Sequence, residues 1–118
     1  MWQVEFHTAF EEEFAELKET VQDALLARAL LLSETGPQLG RPFCDTLVGS
    51  KFANMKELRF DADNGVWRVA FAFDPARNAI LLAAIDKSGV NQRRAYRQLI
   101  SKADDRFESH IAELRGET

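Results

Sequence analysis

Trp2, Val4 and Phe6 alternate with Gln3, Glu5 and His7, the two-residue period of a half-buried strand. Immediately after it, Thr8-Ala-Phe-Glu11 has the form of a capping box, in which a Thr side chain serves a free helix amide and a Glu reaches back. Phe10, Phe14 and Leu17 follow at helical spacing. Glu11, Glu12, Glu13 and Glu16 fall largely on the outside, where acids in a first turn also suit the helix dipole. Thr20 is placed to cap a second helix that carries Val21, Ala24, Leu25, Leu31 and Leu32 inward and stops at Gly36-Pro37. The short connection at residues 18–20 makes the pair a helical hairpin, with a single kinked helix as the alternative.

Residues 36–54 hold three glycines and two prolines without periodicity and read as a loop over the domain. Strand patterning returns at residues 55–61, with Leu58 and Phe60 on one face and Glu57 and Arg59 on the other. Asn64-Gly65 is a hairpin signal. Residues 66–73 then set Trp67, Val69, Phe71 and Phe73 against Arg68, Ala70 and Ala72. Asp74-Pro75 turns the chain, and residues 79–86 form a nearly continuous apolar strand. Past Ser88-Gly89, the residues Tyr96, Leu99, Ile100, Ala103, Phe107, Ile111 and Leu114 make one helical stripe. The sum is an α+β domain: an N-terminal strand, two helices, a three-strand antiparallel meander and a C-terminal helix packed on a sheet. Trp67, Phe71, Phe60 and Leu99 are expected in its core.

A length of 118 residues suits one domain, residues 1–118, able to bury roughly two thirds of its unfolded surface. The longest apolar run, residues 24–32, is interrupted by Arg28 and is too short to span a bilayer. No signal-peptide pattern opens the chain, and a lone cysteine, Cys44, points to a reducing cytoplasm and no membrane. The net charge of −4 argues against nucleic acid until its distribution is considered. Residues 1–40 sum to −6, residues 41–102 to +5 and the remainder to −3, so an acidic front precedes a basic middle.

Several kinds of chemistry fall away. Asp61-Ala-Asp63-Asn-Gly65 has its glycine one place early for a calcium loop and lacks the closing Glu. His7, Cys44 and His110 lack metal-ligand spacing, so no metal or other cofactor is expected. Asp104 and Asp105 read as helix-surface partners of Lys102 and Arg106. A set of cations remains. Arg59 and Arg68 lie on neighbouring strands opposite the large apolar residues, Lys87 ends the last strand, and Arg93, Arg94 and Arg97 crowd the final helix beside Tyr96. Guanidinium and ammonium groups with one phenol suit phosphodiester chemistry, in which cations stabilise charge on the phosphate. Simple pairing of these arginines with Glu57 and Asp61 is the alternative.

The ordered series Leu39-Gly-Arg-Pro…Asp45-Thr-Leu…Gly49-Ser-Lys…Asn54-Met-Lys-Glu-Leu-Arg-Phe60, then Gly65-Val-Trp-Arg-Val-Ala-Phe-Ala-Phe-Asp74, Asp86-Lys-Ser-Gly89 and Tyr96-Arg-Gln-Leu-Ile…Ala103-Asp…Arg106, resembles RelE/ParE-superfamily toxins of the HigB or phage-derived Gp49-like branch. The resemblance implies a RelE-like fold and ribosome-dependent messenger RNA cleavage through 2′-hydroxyl attack, without a metal. It implies catalytic roles for Arg59, Arg68, Lys87 and Tyr96, with Lys56, Arg93, Arg94 and Arg97 as RNA contacts. Its implied partners are the ribosome, messenger RNA and a cognate helix-turn-helix antitoxin of the HigA kind in a hetero-oligomer. The acidic helix, with Glu12 and Glu16, is the expected antitoxin surface. Two departures stand out: Phe52 where relatives often carry a basic residue or His, and Ile85 in an Ala84-Ile85 pair where a Gly is common. A ParE-like gyrase-binding toxin and a degenerate module that only binds an antitoxin are the rival readings.

Overall fold

The computed structural model describes residues 1–89 and 91–116. Its elements are β1 (Val4–Phe6), α1 (Thr8–Ala15), α2 (Glu19–Thr35), a 3-10 turn (Gly36–Gln38), β2 (Cys44–Thr46), β3 (Lys56–Ala62), β4 (Gly65–Phe73), β5 (Ala79–Asp86) and α3 (Gln92–Leu114). The α+β class is as expected, but the sheet has five strands, in the order β1-β5-β4-β3-β2. β1 runs parallel to β5, and the other neighbours are antiparallel. The extra strand, β2, lies within residues 36–54, where a loop was expected. Three residues beside a proline are too few to show a period.

Helices cover both faces of the sheet. On one face α1 and α2 bring Phe10, Val21, Leu25 and Leu32 against Leu58, Phe60, Val69, Phe71 and Leu81. On the other, α3 brings Leu99, Ala103 and Phe107 against Ala70, Ala72, Ile80, Leu82 and Ala83. The small residues of β4 thus make room for a helix instead of facing solvent. Phe71, Leu99 and Phe60 are buried as expected, while Trp67 is half-buried and stacks on Phe60 at 6.5 Å. Leu114, read as the last residue of the inward stripe, is exposed.

The register of β4 on β5 jumps from Ala70↔Ala83 to Phe71↔Leu81, leaving Leu82 as an extra residue. Leu82 and Ala83 consequently both turn toward α3. Arg106 of α3 donates from Nη1 to the Leu82 carbonyl at 2.8 Å and grips both carboxylate oxygens of Glu13 at 2.8 Å. The guanidinium therefore ties α3 to the bulge and to α1. Asp104 accepts from Ser50 Oγ at 2.5 Å and from Lys51 N at 3.0 Å, fastening the loop after β2. Neither residue is the plain helix-surface partner expected.

Two caps differ from the sequence reading. His7, not Thr8, caps α1, its Nδ1 accepting from Ala9 N at 3.1 Å. Lys18 precedes α2 without any side-chain cap, and Thr20 lies inside the helix. The helices are two, broken at residues 16–18, with α1 against β5 and α2 against β3. Gly36 ends α2 at φ +70°, packed so closely on the Trp2 indole that a Cβ could not fit.

Candidate active site

The two-residue period of β3 sends Glu57 and Arg59 to the α3 side, and the Arg59↔Arg68 register places both arginines there together. Between them lies Glu57, only 3% exposed. Arg59 Nε donates to Glu57 Oε2 at 2.9 Å. Arg68 Nε lies 3.3 Å from the same oxygen, close enough for an ion pair but not aligned for a hydrogen bond. Arg68 also donates from Nη1 to the Trp67 carbonyl at 2.8 Å. Its side chain is 10% exposed, against 29% for Arg59. Of the two, Arg59 offers the more accessible guanidinium.

Tyr96 reaches the same carboxylate from the second turn of α3, its hydroxyl 3.4 Å from Glu57 Oε2. Asn91 sets the start of that helix by accepting from Arg94 N at 3.0 Å. Burial, and then the negative charge of Glu57, push the Tyr96 phenol above its ordinary pKa. A phenol so placed keeps its proton at neutral pH and serves as a donor. The hydrogen bond that Arg59 donates to Glu57 likewise raises Arg59 and keeps it charged.

Lys87 comes in from the end of β5. Its amide donates to Val66 O at 2.7 Å, and Asp86 Oδ1 gathers Val66 N, Ser88 N and Ser88 Oγ at 3.0, 2.9 and 2.6 Å. A Cβ at Gly65 would come within 2.7 Å of Asp86 Oδ2, so a larger residue there would push the Asp86 carboxylate out of this arrangement. The Lys87 ammonium then sits 6.0 Å from the centre of the Tyr96 ring. An open cleft of about 270 Å³ lies alongside, walled by Glu57, Arg59 and Tyr96.

The structure therefore gathers Arg59, Arg68 and Tyr96 around Glu57, with Lys87 against the Tyr96 ring. Arg93, Arg94 and Arg97 are exposed on the first turns of α3 and flank the group. Lys56 does not join them: it faces the α2 side, and its Nζ donates to the Pro37 carbonyl at 3.3 Å. Phe52 packs edge-on against Phe107 at 5.0 Å. Phe107 stands eleven residues beyond Tyr96, about 16 Å along the helix. Position 52 is thus remote from the cluster, and a basic side chain there would not have supplied its proton. Ile85 pairs with Arg68 and packs toward α3. Glu12 and Glu16 are exposed, and neither forms an ion pair among the described residues.

Sequence reasoning missed two members. The alternation of Glu57 with Arg59 on one face marks it as a neutralising partner but carries no sign that it is buried. Arg28, a charge inside an apolar helical run, donates from Nε to the Arg59 carbonyl at 3.1 Å. Among the described residues no group of three His, Cys, Asp or Glu is placed to hold a metal ion, and no helix is long and apolar enough to cross a membrane.

The family model described as phage derived protein Gp49-like matches residues 12–108. A protein of Mycobacterium tuberculosis provisionally named toxin HigB2 is 43% identical over 93 residues, which make up 78% of this chain and 46% of the relative. A second from the same organism, provisionally named toxin HigB3, is 50% identical over 86 residues, 73% of each chain. The chain thus spans about half the length of the first relative and about three quarters of the second. No solved structure matches it.

Proposed function

Since the chain belongs to the phage-derived Gp49-like family, we propose that it is the toxin of a toxin–antitoxin pair and cuts messenger RNA at the ribosome. The observation that carries this reading is the convergence of Arg59, Arg68 and Tyr96 on one buried carboxylate, with Lys87 beside them. Such a group binds a phosphodiester and stabilises its transition state without further help. The 2′-hydroxyl of the RNA gives its proton to water as its oxygen attacks the adjacent phosphorus, the bond to the 5′-oxygen breaks, and a cyclic phosphate remains. Arg59, with Arg68 behind it, neutralises the charge that builds on the non-bridging oxygens. Tyr96, held protonated, donates toward the departing 5′-oxygen. Lys87 adds positive charge at the same place. Glu57 is a positioning residue: it holds two guanidiniums and a phenol in one arrangement. The RNA supplies its own nucleophile, so the reading calls for no cofactor.

Arg93, Arg94 and Arg97 are the natural contacts for the RNA backbone beyond the cut, whereas Lys56 lies on the far face, away from them. The cellular setting that fits is the cytoplasm, where Cys44 stays a thiol, buried and pushed up to about 11. A helix-turn-helix antitoxin would complete the pair.

The test is a translation reaction with a defined message, mapped for cuts by primer extension. Arg59→Ala should lower cleavage about 10²–10³-fold, the cost of losing one transition-state donor, and a melting curve reads separately the stability lost with its bond to the buried Glu57. Intact messages together with trapped gyrase would instead identify a ParE-like toxin. Intact messages and normal growth would leave only an antitoxin-binding module.

A further inference from the structure

A second cleft, of about 300 Å³, opens on the other side of Arg59, between α2 and the edge of β3. Its origin is a gap in the sheet. Phe43, just ahead of β2, accepts from Arg59 N at 2.8 Å, but its own amide turns back to the Gly40 carbonyl at 3.1 Å. Pro42 has no amide to offer. The Arg59 carbonyl is thereby left without a strand partner, and Arg28 Nε takes it at 3.1 Å. That bond lays the Arg28 guanidinium over the Phe43 ring, 4.6 Å from its centre, while the ring stays 38% exposed. Among the described residues no carboxylate lies within ion-pair distance of Arg28, and Asp61 is the one acid lining the cleft. Arg59 and Arg68 form its remaining charged wall.

Arg59 is thus the partition between two openings of similar size, one reaching Tyr96 and the other reaching Arg28 and Phe43. A phosphate at Arg59 would have one cleft on each side. The Arg28 side offers what a nucleotide unit needs: guanidinium donors for a phosphate and an exposed aromatic plate for a base. We propose that this cleft is a nucleotide subsite, in which the residue next to the scissile phosphate stacks its base on Phe43 and sets its own phosphate between Arg28 and Arg59. The placement beside a scissile phosphate rests on the endoribonuclease reading; the affinity for a nucleotide unit does not.

The probe is a 2′-O-methyl RNA trinucleotide, which cannot be cut, titrated into the full chain and followed by NMR at the Phe43 ring and the Arg28 Nε–H. Two variants preserve the architecture. Phe43→Leu keeps an apolar side chain without a stacking plate, and Arg28→Gln keeps a donor for the Arg59 carbonyl without the charge. Each should weaken the trinucleotide at least about fivefold, the lower end for a lost base stack, with melting temperatures within a few degrees of the parent. Equal binding by both variants, or no binding by the parent, overturns the subsite and leaves Arg28 as a pin for the sheet edge. Cleavage in the translation reaction separates the two ideas. Weakened binding in the variants with no cleavage by the parent would keep the subsite and sink the nuclease. Cleavage that depends on Arg59 but not on Arg28 or Phe43 would do the reverse.

Discussion

Glu57 shows how much one residue decides. Burying a carboxylate is costly unless its partners are close and well placed, and here one guanidinium is aligned at 2.9 Å while the second stands off at 3.3 Å. Removing the acid would leave Arg59 and Arg68 side by side without the carboxylate that bridges them. Glu57→Ala should therefore cost about 3 kcal/mol in urea unfolding, toward the lower end for a broken buried pair because Arg59 stays partly solvated. Stability within 0.5 kcal/mol of the parent would show that the cluster is loosely held and Glu57 positions nothing. By the same reasoning Arg68 is part of the scaffold as well as of the site, so Arg68→Ala should lower stability and activity together. The parity of β3 and β4 made both arginines legible in the sequence as neighbours on one face. It also told against Lys56, which shares the parity of Leu58 and Phe60 and lies with them. What parity could not convey was that α3 would close over that face and turn a solvated row of charges into a buried one. Arg28 escaped notice for a related reason: its partner is a backbone carbonyl left free where the Phe43 amide turns back to Gly40, a loop detail with no periodicity behind it.

At the level of elements, the long apolar patterns predicted their own existence well, and their ends were set by contacts invisible to a pattern. The cap of α1 is the clearest case. A Thr-x-x-Glu motif was available at Thr8, yet the chain begins its helix one residue earlier and uses the His7 ring as acceptor. That choice makes the helix sensitive to acid. Burial holds the His7 pKa below its ordinary value, with further lowering from Arg106 and His110 and opposition from Glu113 and Glu13. A group whose folded pKa is depressed contributes stability that is complete above its unfolded pKa, near 6.5, and lost as pH falls through the folded value. Protonation of Nδ1 also removes the acceptor, and a lost cap costs about 0.5–2 kcal/mol. His7→Asn keeps a cap oxygen without the titration. The stability difference between parent and variant should be flat above pH 7 and shift in favour of the variant below about pH 6.5. A difference independent of pH from 8 to 5 would mean the ring is not the working cap. Loss of the Glu13–Arg106 grip belongs to a lower window, since Arg106 holds the Glu13 carboxyl below its ordinary pKa of 4.5.

Over the whole molecule, the charge segregation read along the sequence becomes a separation in space. The acidic first third folds into α1 and α2 on one face of the sheet, and the proposed catalytic cations gather at the other face and its free edge. Not all of the acidity is available: Glu13 is occupied by Arg106 and Lys102, whereas Glu11, Glu12, Glu16 and Glu19 remain exposed. An exposed acidic face repels RNA and leaves the cationic cluster as the favourable approach for a polyanion. A protein partner meets the opposite situation, because a basic segment would be drawn to α1 without competing for the cluster. Charge at the rim of such a contact governs association more than affinity and fades as salt screens it. Replacing Glu12 and Glu16 by Lys should therefore slow association with the cognate antitoxin by about tenfold at low ionic strength, with little change in the dissociation rate. The difference should shrink toward physiological salt, where the screening length is about 8 Å. Message cleavage by the free variant should match the parent, since neither residue lies near Arg59. Stopped-flow association at two salt concentrations, paired with the translation assay, reads both outcomes. Identical rates at both concentrations would reduce the acidic face to a solvated surface, and the antitoxin would then have to hold the toxin elsewhere.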